Sequence, residues 1–435
     1  MKRLLKKILP KSALSFYHKS LAFLAAWYYG YRSEKLIVIG VTGTKGKSTT
    51  SNILWHLLEG AGYHTGLTST ANFKIHNTTW VNSQKMTMVG RFQLQKLLKQ
   101  MVDAKCQYAV IEVSSEGIKQ WRHYGVNFDY AFFLNLSPEH IEAHGGYENY
   151  KQAKGKLFAA LAKKSKKING QVVKKIIFAN SDDQEAPYYL NFQSEIKITY
   201  GQGEPANVRA ENVCLEKQGI SWQIKDINFY LPQIGLYNIY NAMPAVALGL
   251  EIGLTLPQIS SILSQFPGMP GRMELISNNR QLNVIVDYCY EPKSLELALT
   301  TLKQLYIKPE LNNAIIAVSG PTGGGRDSWR RPVMGELLAN NCKYSIITTD
   351  DPYDDDPSKI ADEMIEGLKK QGKIENQDYF KIIDRKSAIK KAIELAKIND
   401  VILLAGKGCD PVMAVANGKS IKWDDREVAK ELLNM

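Results

Sequence analysis

The stretch Leu36 to Ser48, LIVIGVTGTKGKS, constrains this chain more than any other. An apolar run that reads as a buried strand ends in Gly43, Gly46 and two lysines, and Ser48-Thr49-Thr50 opens a helical pattern. Strand, glycine-rich turn and helix in that order bring backbone N–H groups close to phosphate oxygens and aim the positive end of a helix at them. Lys47 can reach the outer phosphates and Ser48 can offer a hydroxyl to Mg²⁺, with Gly43, Thr44, Lys45, Gly46 and Thr49 forming the rest of the cradle. The spacing departs from the common G-x-x-x-x-G-K-[ST], because Val41 holds the first glycine position and Gly43 is the first usable glycine. A nucleotide cradle of this kind requires an α/β fold around it.

The rest of the chain agrees with that requirement. Apolar runs KLIVIGV, YAVIEV, YAFFLNL and KKIIFAN alternate with helical or loop patterns. In SNILWHLLEGAG, Ile53, Leu54, Leu57, Leu58 and Ala61 share one helical face. A second alternation follows the Pro/Gly-rich joint FPGMPGRME, with strand candidates LNVIVDY, NAIIAVS, YSIITTD, FKIID and DVILLAG. The expected division is an N-terminal segment 1–34, a central domain 35–270 and a C-terminal domain 271–435. A length of 435 residues exceeds what one hydrophobic core normally serves. The basic run LAKKSKKINGQVVKK reads as a solvated surface.

Fifty-five Lys and Arg against 43 Asp and Glu give a net charge of +12, which suits nucleic acid, an anionic membrane face or a multiply charged small substrate. No aromatic-studded basic groove accompanies the charge, so a nucleic-acid partner is not indicated. The five cysteines form no C-x-x-C pair, which argues against a zinc site or a disulfide framework and fits a reducing cytoplasm. Before the cradle, Leu21 to Tyr29 is too short to span a bilayer and lacks a small-residue cleavage site. It reads as an amphipathic helix, either packed on the following domain or making peripheral membrane contact through Lys2, Arg3, Lys6, Lys7 and Lys11.

Nine segments, in order, carry a family resemblance: GVTGTKGKSTT, VIEVSSEGIKQWR, FLNLSPEHIEAHGGYENYKQAKGKLF, GLYNIYNAMPAVALGL, PGRME, VDYCYEPKSLELAL, GPTGGGRDSWRRPVMGELL, TTDDPYDDDP and LLAGKGCD. The chain resembles the Mur ligase family over about positions 36 to 432, and most of all the branch that adds a third residue to a UDP-N-acetylmuramoyl-dipeptide. The resemblance implies a P-loop ATPase domain with a mainly parallel sheet and a Rossmann-like α/β C-terminal domain. It implies that ATP phosphorylates an acceptor carboxylate and that the acyl phosphate is attacked by the amine of a free amino acid, with Mg²⁺ balancing the charge. The acceptor would be a soluble or lipid-linked muramoyl-peptide precursor; another polyanionic acceptor, or a scaffold that binds ATP without catalysis, are the alternatives.

The same resemblance assigns roles by position. Glu112 matches a metal ligand beside Ser48, and His140 in SPEHIEAH matches the ligand of a second ion. Lys154 matches a lysine that is carbamylated in the family; without that pattern it would be an ordinary exposed lysine of a basic helix. Ser114, Ser115 and Asn135 match substrate-side positions, and Arg272 and Asp287 match nucleotide contacts of the C-terminal domain.

Departures from the family pattern matter as well. Glu116 stands where EVSSHG has histidine, DYAHTP has become Asp287-Tyr-Cys-Tyr-Glu-Pro292, and GKGHE reads Gly406-Lys407-Gly408-Cys409-Asp410. The Asp-Asn-Pro-Arg of diaminopimelate-adding relatives is Asp350-Asp351-Pro352-Tyr353, followed by three further aspartates. Loss of the arginine fork and the accumulation of acidic groups predict a cationic diamino acid such as lysine over diaminopimelate. Only about 35 residues precede the cradle, where relatives place a uridine-binding domain of typical small-domain size. A partner subunit is one expected way of supplying that function.

Overall fold

The computed structural model describes residues 11–82, 84, 86–138, 144–325 and 328–434. They fall into two compact units. The first holds the described residues up to Cys214 together with Ser221–Leu231 and Tyr237–Phe266; the second holds Leu215–Ile220, Pro232–Leu236 and the chain from Pro267 onward.

The first unit is organised by a nine-stranded sheet whose central strand is Ile37–Thr42. It is buried along nearly its whole length, as expected of a parallel strand covered on both faces. Tyr108–Glu112 pairs with it on one side and Tyr130–Phe133 on the other, both parallel. Beyond Tyr130–Phe133 come Ile176–Asn180, Ile196–Gly201 and Val208–Arg209, again parallel. Beyond Tyr108–Glu112 comes Thr65–Thr68, then the antiparallel pair Asn72–Ile75 and Thr78–Val81. Strand order thus reverses at Ile37–Thr42, the place where open α/β sheets leave a crevice at their carboxyl ends. The register Val41↔Glu112 and Thr42↔Phe133 sets Glu112 beside the start of the glycine-rich turn.

The helix Lys47–Gly60 leaves that turn and buries Ile53, Leu54, Leu57 and Leu58 as the sequence period requires; Ala61 is its C-cap and stays half-buried. It packs on Asn238–Glu251, a helix apolar almost all round and correspondingly buried. The N-terminal helix Lys11–Tyr28 packs on Arg91–Asp103 through the small residues Ala22, Ala25 and Ala26.

One sequence reading is corrected here. The run from Leu161 to Lys175 is not uniformly a solvated surface, because Lys166 and Lys175 are buried and reach Asp129 at 2.7 and 2.9 Å. Asp129 also accepts the Val38 amide at 2.8 Å, so the network pins the start of the central strand. A buried carboxylate with two cations and a backbone donor satisfies the rule that interior charge must be paired.

The second unit is doubly wound. Its six-stranded sheet runs Glu274–Ile276, Asn283–Asp287, Val401–Ala405, Ile315–Ser319, Tyr344–Ile347 and Tyr379–Lys381, parallel except for the first pair. Period-two alternation divides the strands between two cores: Ile315 and Ala317 join one, Ile316 and Val318 the other. Leu299, Leu338 and Leu368, from the helices Pro292–Tyr306, Arg330–Asn341 and Pro357–Lys370, fill the first core. Ile389 and Leu432, from Arg385–Leu395 and Asp425–Leu433, fill the second.

Candidate nucleotide and substrate site

The turn between Thr42 and Lys47 is shaped from within the first unit. Gly46 takes φ +81°, and a Cβ there would lie 2.1 Å from Asn241 Oδ1, so only glycine fits. Thr44 and Lys45 donate their backbone N–H groups to Asn135 Oδ1 at 3.0 and 2.9 Å, and Asn135 Nδ2 donates to the Lys45 carbonyl at 3.2 Å. Asn135, expected on the substrate side, therefore braces the loop backbone. Lys47 Nζ donates to the carbonyls of Gly43 and Thr44 at 3.0 and 2.8 Å, folding the ammonium over the turn at the N-terminus of its helix. Dipole and ammonium together make this point attractive to an anion.

Ser48 Oγ donates to Glu112 Oε2 at 2.9 Å. Glu112 is 1% exposed and also accepts the Thr70 amide at 2.7 Å and the Thr70 hydroxyl at 3.0 Å. Hydroxyl and carboxylate are the hard oxygen donors that Mg²⁺ takes, and the pair fits an ion completed by phosphate oxygens and waters. No group of three or more His, Cys, Asp or Glu that could cage a metal exists among the described residues. His140 lies outside the described residues.

A cavity of about 340 Å³ opens beside the turn, lined by Thr44, Lys47, Met88, Ser114, Ser115, Glu116, Arg122, Tyr150 and Lys154 among others. Lys154 is not an exposed helix lysine. It is 1% exposed, and the helix Tyr147–Ala159 directs its Nζ to the Gly43 carbonyl at 2.7 Å, with the Tyr150 ring centroid 4.6 Å away. Lys47 and Lys154 thus share one carbonyl acceptor. Ser114 caps the short helix Ser115–Lys119 by accepting from the Gly117 amide at 3.1 Å. Arg122, which the sequence reading did not single out, reaches the same cavity; its guanidinium donates to the Met88 carbonyl and, at 2.8 Å, to Gln120 Oε1. Its place in VIEVSSEGIKQWR, one helix beyond Ser115, was the available signal.

The remaining expected residues belong to the second unit. Asp287 ends the strand Asn283–Asp287 and accepts the Met273 amide at 2.7 Å; burial raises its pKa, and Arg272 pulls the other way. The Arg272 guanidinium lies 4.3 Å from the Tyr288 ring centroid. Burial works to lower the Arg272 pKa, but Asp287 and neighbouring groups outweigh it and the net shift is upward.

The acidic loop differs from expectation. Lys407 is fully buried, and its Nζ reaches Asp351 at 2.9 Å, Asp410 at 3.4 Å and Asp350 at 3.5 Å. Asp351 also accepts the Ala414 amide at 2.7 Å. Burial pushes the Asp350 pKa up to about 6, against the pull of Lys407 and Arg385. Asp354 accepts the Asn417 amide, Asp355 the Gly324 amide, and Asp356 caps the helix Pro357–Lys370. Tyr353 takes φ +52° and packs its ring over Gly324, where a Cβ would meet Cδ2 at 2.7 Å. Gly406 lies against Asp350, whose Oδ2 would be 2.5 Å from a Cβ there. The negative charge read as confronting an incoming amino acid is thus largely spent on Lys407, backbone amides and a helix terminus.

Comparison with known proteins accords with this geometry. The Mur ligase middle domain matches residues 41–249, and the Mur ligase glutamate ligase domain matches residues 271–408. The chain is 36% identical over 420 residues to UDP-N-acetylmuramoyl-L-alanyl-D-glutamate–2,6-diaminopimelate ligase of Bacillus cereus, covering 95% of this chain and 82% of that one. A ligase of the same name from Clostridium botulinum is also 36% identical, over 423 residues, with 95% and 81% covered. A solved 2,6-diaminopimelate ligase superposes with TM-score 0.63 at 26% identity, covering 92% of this chain and 78% of that one. A structure titled MurF from Acinetobacter baumannii shares the fold at TM-score 0.69 and 19% identity, covering 96% and 81%.

Proposed function

Because the chain belongs to the Mur ligase family, we propose that it uses ATP to join the amine of a free diamino acid to the carboxylate of a muramoyl-peptide cell-wall precursor. The observation that carries this reading is the convergence, within the first unit, of Lys47, Lys154, Ser114, Ser115 and Arg122 on one cavity beside the Ser48–Glu112 pair. A phosphate donor and an acceptor carboxylate could meet there.

Lys47 and the N-terminus of its helix would hold the outer phosphates, and Ser48 and Glu112 would hold Mg²⁺, which supplies charge neutralisation at the transferring phosphate. In our reading the acceptor carboxylate attacks the γ-phosphorus and ADP leaves. The amine then attacks the resulting acyl phosphate, loses a proton, and inorganic phosphate departs as the amide bond forms. Arg122 is suited to orient an anionic acceptor, since a guanidinium fork matches carboxylate geometry. Lys154, if carbamylated as the family resemblance implies, would carry negative charge.

We infer that the incoming residue is a diamino acid. The expectation of lysine rested on Tyr353 in the place of an arginine and on aspartates; the structure pairs those aspartates internally, and the named relatives are diaminopimelate ligases. The test is to supply ATP, Mg²⁺, UDP-N-acetylmuramoyl-dipeptide, lysine and meso-diaminopimelate at equal concentrations, and to identify products by mass. A tripeptide product with one ADP per bond is the expected result, and its mass identifies the residue. ATP hydrolysis indifferent to the acceptor, or no product with either amino acid, would overturn the reading.

A further inference from the structure

The helix Lys11–Tyr28 is amphipathic in an inverted sense. Its buried side carries the small residues Ala22, Ala25 and Ala26, while Phe16, Tyr17, Phe23, Leu24, Trp27 and Tyr28 are all exposed. Exposure reaches 74% for Phe16, 62% for Trp27 and 69% for Tyr28. Phe16, Phe23 and Trp27 share one side of the helix, interrupted at Ser20, with Tyr17, Leu24 and Tyr28 beside them, so the large side chains form one stripe. From Phe16 to Tyr28 that stripe is about 18 Å long. It continues beyond the helix: the Tyr28 ring centroid is 6.5 Å from that of Phe92, and a neighbouring groove of about 560 Å³ is lined by Tyr29, Trp80, Phe92 and Lys96.

Folding alone would place such residues inward, because burying each large apolar side chain is worth about 1.5–3 kcal/mol. A contiguous apolar face of this kind marks an interaction surface. The occupant is indicated by charge. The first 33 residues contain seven Lys and Arg and no acidic residue, Glu34 being the first. A second copy of the chain would bring the same positive charge to the same face. No helix among the described residues is long and apolar enough to cross a membrane. Trp and Tyr flanked by Lys and Arg are the side chains that settle at the boundary between headgroups and acyl chains.

We propose that this face docks in the plane of an anionic lipid bilayer, with Phe16, Phe23 and Trp27 in the interfacial layer. The proposal does not depend on which acceptor or amino acid is used.

The test is flotation of the full chain with phosphatidylcholine vesicles and with vesicles containing about one-third phosphatidylglycerol, at about 0.15 M salt. Binding should favour the anionic vesicles at least tenfold and weaken at high salt. Phe23→Glu/Trp27→Glu should reduce the partition coefficient at least tenfold while circular dichroism and ATP turnover stay unchanged. If that variant misfolds, Lys6→Glu/Lys7→Glu supplies an independent electrostatic test and should also weaken binding to anionic vesicles. Equal binding to both vesicle types, or binding indifferent to these substitutions in folded protein, would overturn the proposal. So would light scattering that shows a dimer dissociated by Phe23→Glu/Trp27→Glu without any vesicle binding by the parent chain.

Discussion

Glu112→Gln separates a carboxylate needed for its charge from one needed for its hydrogen bonds. Glu112 accepts three: Ser48 Oγ at 2.9 Å and the Thr70 amide at 2.7 Å on Oε2, and the Thr70 hydroxyl at 3.0 Å on Oε1. A glutamine with its carbonyl in the Oε2 position keeps the first two, and its NH₂ can donate to the Thr70 hydroxyl once that rotor turns. Each bond falls from the charge-assisted range of about 1.5–3 kcal/mol toward the neutral value of about 1, a gross loss of roughly 1.5–6 kcal/mol over the three. Against this, a side chain 1% exposed no longer carries a charge, whose burial costs several kcal/mol even after relaxation. The net stability change should therefore stay within about 2 kcal/mol of zero, as read by urea unfolding. Acceptor-dependent ADP release should fall by on the order of 10²–10³, the size seen when one preorganised electrostatic contact is lost. Stabilisation of the folded state by Mg²⁺ and ATP should shrink in parallel, because ligand-linked stability follows affinity. Undiminished turnover and an unchanged Mg²⁺ requirement in Glu112→Gln would refute the assignment of this carboxylate.

Three further outcomes follow from the same geometry. Lys47→Ala removes the ammonium that folds over the turn; ADP release should fall by on the order of 10²–10³ in a protein whose circular dichroism is unchanged, and full turnover would remove the cradle assignment. Lys154→Ala should be inactive and partly rescued by a short carboxylic acid if the family's carbamate is present, whereas wild-type activity would make the lysine structural. His123 is 7% exposed, and burial, helped by Lys156 and Lys163, lowers its pKa from 6.5 to about 4. The unfolded chain therefore binds more protons than the folded one between those values. Stability is full above pH 6.5 and is lost as pH falls, by about 3 kcal/mol near pH 4. His123→Phe should flatten that part of the acid limb in urea titrations, and an unaltered slope would contradict it.

How much of this was legible in the sequence varies by element. The turn around Gly46 was readable because strand, glycine and helix each leave a local pattern, and the structure adds Asn135 and Asn241, distant residues that hold the turn. The strands of both sheets were readable where burial on both faces makes a continuous apolar run, as in Ile37–Thr42 and Val401–Ala405. Strands Asn72–Ile75 and Thr78–Val81 were missed because one carries a single fully buried residue and the other none. The sheet formed by Glu211–Glu216, Gly219–Ile224 and Ile227–Leu231 was missed too, although the alternation in GISWQI and INFYL signals it. Burial of lysine was the least legible property, since Lys154, Lys166, Lys175 and Lys407 look like neighbours of theirs that remain in solvent.

Those buried lysines divide by what faces them, and the division separates scaffold from chemistry. Lys166 and Lys175 close on Asp129, with further bonds to the carbonyls of Ser33, Asn127 and Phe128. Lys407 closes on three aspartates and the Val412 carbonyl. In both networks buried charge is balanced by side chains of the fold, so nothing from outside is required. Lys154 instead stands on a cavity wall next to Lys47, and both donate to the Gly43 carbonyl. Two ammonium groups therefore line one cavity, where an incoming phosphate or carboxylate would meet them. Carbamylation of Lys154 would change that meeting, replacing one positive charge by a negative one and leaving Lys47 to the phosphates. The acceptor-dependent step should be sought at this cavity.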